Sequence, residues 1–240
     1  MAAAATRPFL TAEWHHVLAL TYAVDAALLA HHLPRGAEID ELEGSPRVSV
    51  VAFGFRHTRL RGIAIPGHIA FPEINLRFYV RLGGERAVVF IREFVPRPAI
   101  SIVARLRYNE PYRTIPMRET VIAPGRGPGG RLGVRHRFGP RHRHRLEAWA
   151  DPVAREPARG SSEYWLTHHD IGLGRAHDGR TQRYRVEHPV WALHEVLDLQ
   201  RDVDFGALYG KPWRFLGETR PSHVTLAAGS GVRIFAPVDA

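Results

Sequence analysis

The stretch Phe71–Arg81 sets Glu73, Asn75, Arg77 and Tyr79 at every second position, with Ile74, Leu76, Phe78 and Val80 between them. On an extended strand, alternate side chains leave opposite faces. One face is then apolar and suited to a core. The other carries a carboxyl, an amide, a guanidinium and a phenol. If the apolar face packs inward, the polar face meets either solvent or a barrel interior. In an interior, Glu73 would act as a base or orient a small ligand, with Asn75 and Arg77 as ligand-binding groups. On a solvated face the same residues would pair across to Arg92 or Glu93.

A second group is contiguous: Tyr108-Asn109-Glu110-Pro111-Tyr112-Arg113. Tyr112 could serve as an acid or donate to a carbonyl, and Arg113 could clamp a carboxylate in two-pronged fashion. Tyr108 and Asn109 would line the same site. A proline turn ending a helix, its tyrosines packed on a sheet, is the reading the segment favours over a site. His188, in EHPVW with Trp191 three residues later, is a third candidate. It would act as an acid or base, with Trp191 against the ligand, or it is a hydrogen-bonded core histidine.

The remaining histidines of the 15 carry less. His15-His16, His31-His32 and His168-His169 are adjacent pairs, which on a strand point apart. His142 and His144 would share a strand face, but Arg141, Arg143 and Arg145 surround them and disfavour a metal cation. No metal or cofactor is therefore expected. GRGPGGR lacks the lysine and Ser/Thr of a phosphate loop, and no complete dinucleotide or nucleophile-elbow pattern occurs. With no cysteine, thiolate chemistry and disulfides are excluded.

The elements that must position these groups are mostly extended. Glu13–Val24, Arg47–Phe55, Phe71–Arg81 and Ala87–Phe94 read as strands, the last two as a hairpin around Gly83-Gly84. Asp25 can cap a short helix over Ala26–His32. Pro98–Arg107 reads as a helix with Ile100, Val103, Ala104 and Arg107 on one side, ended by Pro111. Thr114–Ile122, Arg131–Phe138 and His142–Trp149 follow as strands, then a polar connector over Asp151–Ser162. A short helix is expected at Ser162–His169, strands at Ile171–Arg175 and Gln182–Glu187, and a helix over Trp191–Val203. His223–Ala227 and Gly231–Pro237 read as a terminal hairpin. The pattern predicts one α+β domain over residues 1–240, a large antiparallel, barrel-like sheet with a few short helices.

Three stretches carry a family resemblance: RPFLTAEWHHVLALTYAVDAALLAHHLPRGAEID, FPEINLRFYV with VVFIREFVPRPAISIVARLRYNEPY, and YRVEHPVWAL. Together they resemble the YqjF-like family, whose members largely lack an assigned function. More weakly, the chain is similar to the wider acetoacetate decarboxylase superfamily. That resemblance implies a conical barrel with a central pocket, an acidic pocket residue matched by Glu73, and a family position for His188. In the decarboxylase two adjacent lysines follow the proline after the helix, one forming a Schiff base and the other depressing its pKa. Here those positions read Tyr112-Arg113, and neither can form an imine. The only lysine is Lys211, in YGKPW.

The formal net charge is +9, which admits an anionic partner. Yet the basic residues are nearly all arginine and are dispersed except over Arg131–Arg145, so nucleic acid is disfavoured. MAAAATRPFL lacks a basic region ahead of an apolar one, and no apolar run reaches the ~20 residues of a membrane span. A cytoplasmic protein without a membrane segment is expected. The favoured function is binding of a small organic acid or carbonyl compound, an anionic ligand fitting the arginines, with non-covalent acid/base catalysis in reach. The alternatives are a non-catalytic ligand-sensing or structural domain and, after it, a basic nucleic-acid-binding protein. A homo-oligomer is compatible with the resemblance.

Overall fold

A computed structural model describes residues 7–240, so the first six residues of the segment read for a leader lie outside it. The strands are β1 Leu10–Ala23, β2 Glu38–Ile39, β3 Glu41–Leu42, β4 Ser45–Leu60, β5 Phe71–Leu82 and β6 Glu85–Val95. Helix α1, Pro98–Tyr108, leads to β7 Tyr112–Thr114, β8 Met117–Ile122, β9 Leu132–Phe138 and β10 His144–Arg155. Helix α2, Ser162–Thr167, is followed by β11 Ile171–Arg175, β12 Thr181–Glu187 and β13 Leu193–Asp202. Helix α3, Phe205–Tyr209, precedes β14 His223–Ile234 and β15 Val238–Asp239.

Hydrogen bonding runs β12-β11-β6-β5-β4-β1-β14, and β12 pairs again with β14. Those strands form a ring, while β13, β10, β9 and β8 continue from β14 as an attached wing. The core is α+β and barrel-like, with most pairs antiparallel. Between ring and wing lies the main apolar core. It takes Leu18, Leu20, Val48, Val50, Ile74, Leu76 and Phe78 from the ring, and Val134, Phe138, Leu146 and Ala148 from the wing. The inner face of the ring carries a second cluster, including Val17, Val51, Phe53, Phe55, Phe71 and Trp191. Ring strands are thus covered on both faces, and β4 is buried at nearly every position from Pro46 to Phe55.

Two bulges aim side chains into the ring. In β1, His16 has φ 51° and the pairing slips between His15 and Leu18, so Trp14 and Val17 both face inward. Gly229 of β14 lies opposite, at φ 89°, where a Cβ would stand 1.8 Å from the Trp14 carbonyl oxygen. In β6, Arg77 pairs with Phe90 and Leu76 with Arg92, leaving Ile91 as the extra residue. The parity of β6 changes there: Val88 and Phe90 face inward before it and Glu93 after it.

Several expectations are corrected. Trp191–Val203 is not a helix but contains β13. A slip between Asp198 and Val196 spaces the half-buried Val196 and Leu199 by three residues, which imitates a helical period. His223–Pro237 is no hairpin: β14 runs through Gly229, whose positive φ accommodates the β1 bulge. Asp151–Arg155 extends β10 instead of forming a connector. The Ala26–His32 helix is two 3-10 turns, with the Asp25 side chain accepting from the Ala27 amide at 2.8 Å. His142 sits in a turn at φ 52°, so it shares no strand face with His144. Among the described residues, no helix is long and apolar enough to cross a membrane.

Candidate functional site

All the ring strands contribute side chains to a cavity of about 220 Å³. Its wall is chiefly apolar: Trp14, Val17, Val51, Phe53, Phe55 and Phe71, joined by Ile100 and Val103 of α1. Ionisable and polar groups gather in one region of it. Glu73, Asn75 and Arg77 enter from β5, Glu93 from β6, and Glu110 and Tyr112 from the turn after α1. Tyr184 comes from β12, and His169 and His188 from the flanking loops.

Glu73 is at the centre, only 3 % exposed. Tyr112 donates its hydroxyl to Glu73 Oε2 at 2.9 Å, and Asn75 donates Nδ2 to Oε1 at 3.0 Å. Burial pushes the Glu73 carboxyl up to about 7, against the pull of these bonds and of Arg77. Glu93 is raised well above the carboxylate range, by burial first and then by the charges of Glu73 and Glu110. Burial also lifts Glu110 to about 8, opposed by a hydrogen bond from Tyr184. Three carboxyls thus share one apolar enclosure; near neutral pH Glu93 and Glu110 hold protons while Glu73 divides between its two forms. Burial, then the neighbouring carboxylates, raises Tyr112 and Tyr184 well above the phenol range, so both remain donors. Burial lowers His169 and His188, leaving neutral imidazoles at pH 7.

Glu73, Asn75, Arg77, Tyr108, Tyr112, His188 and Trp191 all line the cavity. Tyr108 spends its hydroxyl on the Phe235 carbonyl at 3.0 Å. His188 stacks on Trp191 with ring centroids 4.0 Å apart, and Trp191 Nε1 donates to Ser230 Oγ at 2.8 Å. Two candidates lie elsewhere. Arg113 is exposed because successive residues of β7 face opposite ways, so Tyr112 points in and Arg113 out. Asn109 caps α1 in the left-handed region at φ 50° and donates to the Arg175 carbonyl outside the cavity. Lys211 is exposed and does not line the cavity.

Sequence reasoning passed over Glu93, Glu110, Tyr184 and His169 as site residues. The β6 bulge hid Glu93, since strict alternation from Phe90 sends it outward. Glu110 sits within the segment singled out for its neighbours, and its place before Pro111 was a usable signal. Tyr184 alternates with Gln182 and Val186 on β12, a pattern that signals burial but not a site.

The DUF2071 family, described as an uncharacterized conserved protein, matches residues 11–231. The chain belongs to this family. The Uncharacterized protein YqjF of Bacillus subtilis (strain 168) is 32 % identical over 100 residues, a match spanning 41 % of this chain and 41 % of YqjF. An acetoacetate decarboxylase-like enzyme from Sphingomonas wittichii RW1 superposes with a TM-score of 0.66. It shares 15 % identity and covers 100 % of this chain and 96 % of its own. The enduracididine biosynthesis enzyme MppR, complexed with pyruvate, gives a TM-score of 0.61 at 14 % identity, covering 99 % and 93 %. At these identities the likeness is one of fold: the fold of this DUF2071 chain is acetoacetate decarboxylase-like.

Proposed function

We propose that this DUF2071 protein binds a small carbonyl compound or organic acid in the ring cavity and exchanges a proton with it without a covalent intermediate. The observation that carries the reading is Glu73, enclosed among apolar walls and held by Tyr112 and Asn75. Held at about 7, it divides between acid and base at physiological pH, where general acid/base catalysis is most effective. A ketone oxygen next to Tyr112 and a protonated Glu93 would meet two donors as negative charge develops on it. Glu73 would then take the proton from the adjacent carbon. Among the described residues Arg77 forms no ion pair and its buried Nε has no partner, which suits a ligand carboxylate. MppR, on the same fold, is complexed with pyruvate, a small 2-oxo acid. Imine chemistry has no support, since the cavity lining includes no lysine.

The test is deuterium incorporation at C3 of 2-oxobutanoate in D₂O, followed by proton NMR. Wild type accelerates exchange, and Glu73→Gln and Tyr112→Phe each lower the rate by at least about 100-fold. Binding of 2-oxobutanoate with no exchange would assign a ligand sensor. Neither binding nor exchange, for this acid and for the matching ketones, would refute the reading.

A further inference from the structure

The cavity is polar at one end and open at the other. Among its lining residues only Ile65, Ala99 and Val103 are exposed, so the mouth lies between the loop joining β4 to β5 and helix α1. Among the described residues ten large hydrophobic side chains are exposed, and six belong to these two segments: Ile63, Ile65 and Ile69, and Ile102, Val103 and Leu106. Leu106 is 72 % exposed and Ile63 68 %. Isolated exposed hydrophobics are ordinary, but Ile65 and Val103 line the cavity from its two sides, so its opening is rimmed by exposed apolar side chains of the kind that mark a binding site.

Strand register gives the direction. The loop enters β5 at Phe71, which pairs with Phe55 of β4. Further along the same face come Glu73, Asn75 and Arg77, each about 7 Å deeper at a rise of about 3.4 Å per residue. From mouth to floor the cavity therefore offers exposed isoleucines and valine, a stacked Phe55–Phe71 pair with centroids 4.6 Å apart, the Glu73–Tyr112 pair, and last Arg77.

We infer that the ligand is an acid or carbonyl compound carrying an unbranched apolar chain, seated with its polar head at Glu73 and Arg77 and its chain pointing out between Ile65 and Val103. This rests on the proposed reading of the cavity as a small-molecule site and adds the substrate class. Size agrees. An apolar cavity of about 150 Å³ accepts benzene. By that measure 220 Å³ holds about nine non-hydrogen atoms. A 2-oxo acid head uses five of them, so about four chain carbons fit inside and later ones lie against the apolar rim.

The experiment is calorimetric titration with straight-chain 2-oxo acids, from 2-oxobutanoate to 2-oxodecanoate, below their micellar concentrations. For wild type, affinity should rise about fourfold per methylene up to 2-oxohexanoate, and more gently for the carbons at the rim. Ile65→Asp and Val103→Asp place a charge at the mouth. Within each variant the affinity ratio between 2-oxooctanoate and 2-oxobutanoate should fall at least tenfold below the wild-type ratio. The two positions lie on separate segments and are partly exposed, and unliganded melting curves verify that each variant folds. Tight 2-oxobutanoate binding with no dependence on chain length would overturn this inference and leave the site reading standing. A wild-type ratio retained in both folded variants would also overturn it. No binding at any length would instead remove the site reading beneath it.

Discussion

Replacing Glu73 by Gln should make the protein more stable in alkali and slightly less stable in acid. Holding this carboxyl at about 7 in the fold, against an ordinary 4.5, makes its ionised form roughly 3 kcal/mol costlier in the folded chain than in the unfolded one. Below pH 4.5 both states keep the proton and the cost is absent. As pH rises from 4.5 to 7 the unfolded chain releases the proton first, so wild-type stability falls across that window and stays low above it. Glutamine cannot ionise and escapes the loss. It offers one accepting oxygen where Tyr112 and Asn75 each donate to a separate one, and one lost bond costs about 1 kcal/mol. The variant should therefore be about 1 kcal/mol weaker at pH 4 and about 2 kcal/mol stronger at pH 8.5, crossing wild type near about pH 5. For a chain of this length the alkaline gain corresponds to a melting temperature higher by about 4–8 °C. Thermal melts followed by tryptophan fluorescence from pH 4 to 9 measure it. A difference that does not vary with pH, or a variant that weakens above pH 7, would refute the reasoning. The second result would mean that Glu73 is ionised in the fold and that a cation holds it there.

Other groups give further outcomes. His136 is buried, neither ring nitrogen has a partner, and burial holds it at about 3. The unfolded chain takes up this proton first as pH falls below 6.5, so His136→Leu should gain about 2 kcal/mol at pH 5 and nothing at pH 8, as urea unfolding at both pH values would show. Tyr112→Phe removes a bond that favours the Glu73 carboxylate, so the acid limb of any residual exchange activity, where the base loses its proton, should move to higher pH. Gly229→Ala must take φ 89° and move the Trp14 carbonyl away, at roughly 3 kcal/mol, read as a lower denaturation midpoint with an unchanged slope.

Much of the ring was legible because period-2 alternation is what a strand with two different faces requires. Ile74, Leu76, Phe78 and Val80 read as core and pack as core, and α1 begins at Pro98 as expected. The errors fall where the period breaks. The slip in β13 turned an alternation into a three-residue spacing, and the glycine serving the β1 bulge looked like a turn. A bulge leaves no residue-type signature when the extra residue is apolar, as Ile91 is, so nothing in the local sequence signalled that Glu93 turns inward. The pairing of β12 on β11 and of β11 on β6 joins residues distant in sequence, which is why Tyr184 was not brought to Glu110.

The same geometry accounts for a site made of carboxyls. The resemblance places Tyr112 and Arg113 where the decarboxylase has paired lysines, and β7 separates them by simple alternation. An inward arginine at that point would have ionised Glu73, Glu93 and Glu110 by Coulombic attraction. With Arg113 outside, Arg77 is the arginine among the cavity-lining residues and faces three carboxyls, so burial prevails and all three are raised, Glu73 to about 7 and Glu110 to about 8. A cluster poised in this way has proton donors and an acceptor within one enclosure. On the proposed reading it would need no external acid to polarise a carbonyl, and it costs stability that the apolar wall and the ring–wing core must supply. The cost falls on the alkaline side, while half-buried His16 and His32 and buried His136, held low at about 4, 4 and 3 chiefly by desolvation, bring a cost on the acid side. The two opposed sets offset each other between about pH 4.5 and 6.5, and above 6.5 only the carboxyl cost still grows, so stability is greatest within that window, below the pH at which folded Glu73 releases its proton.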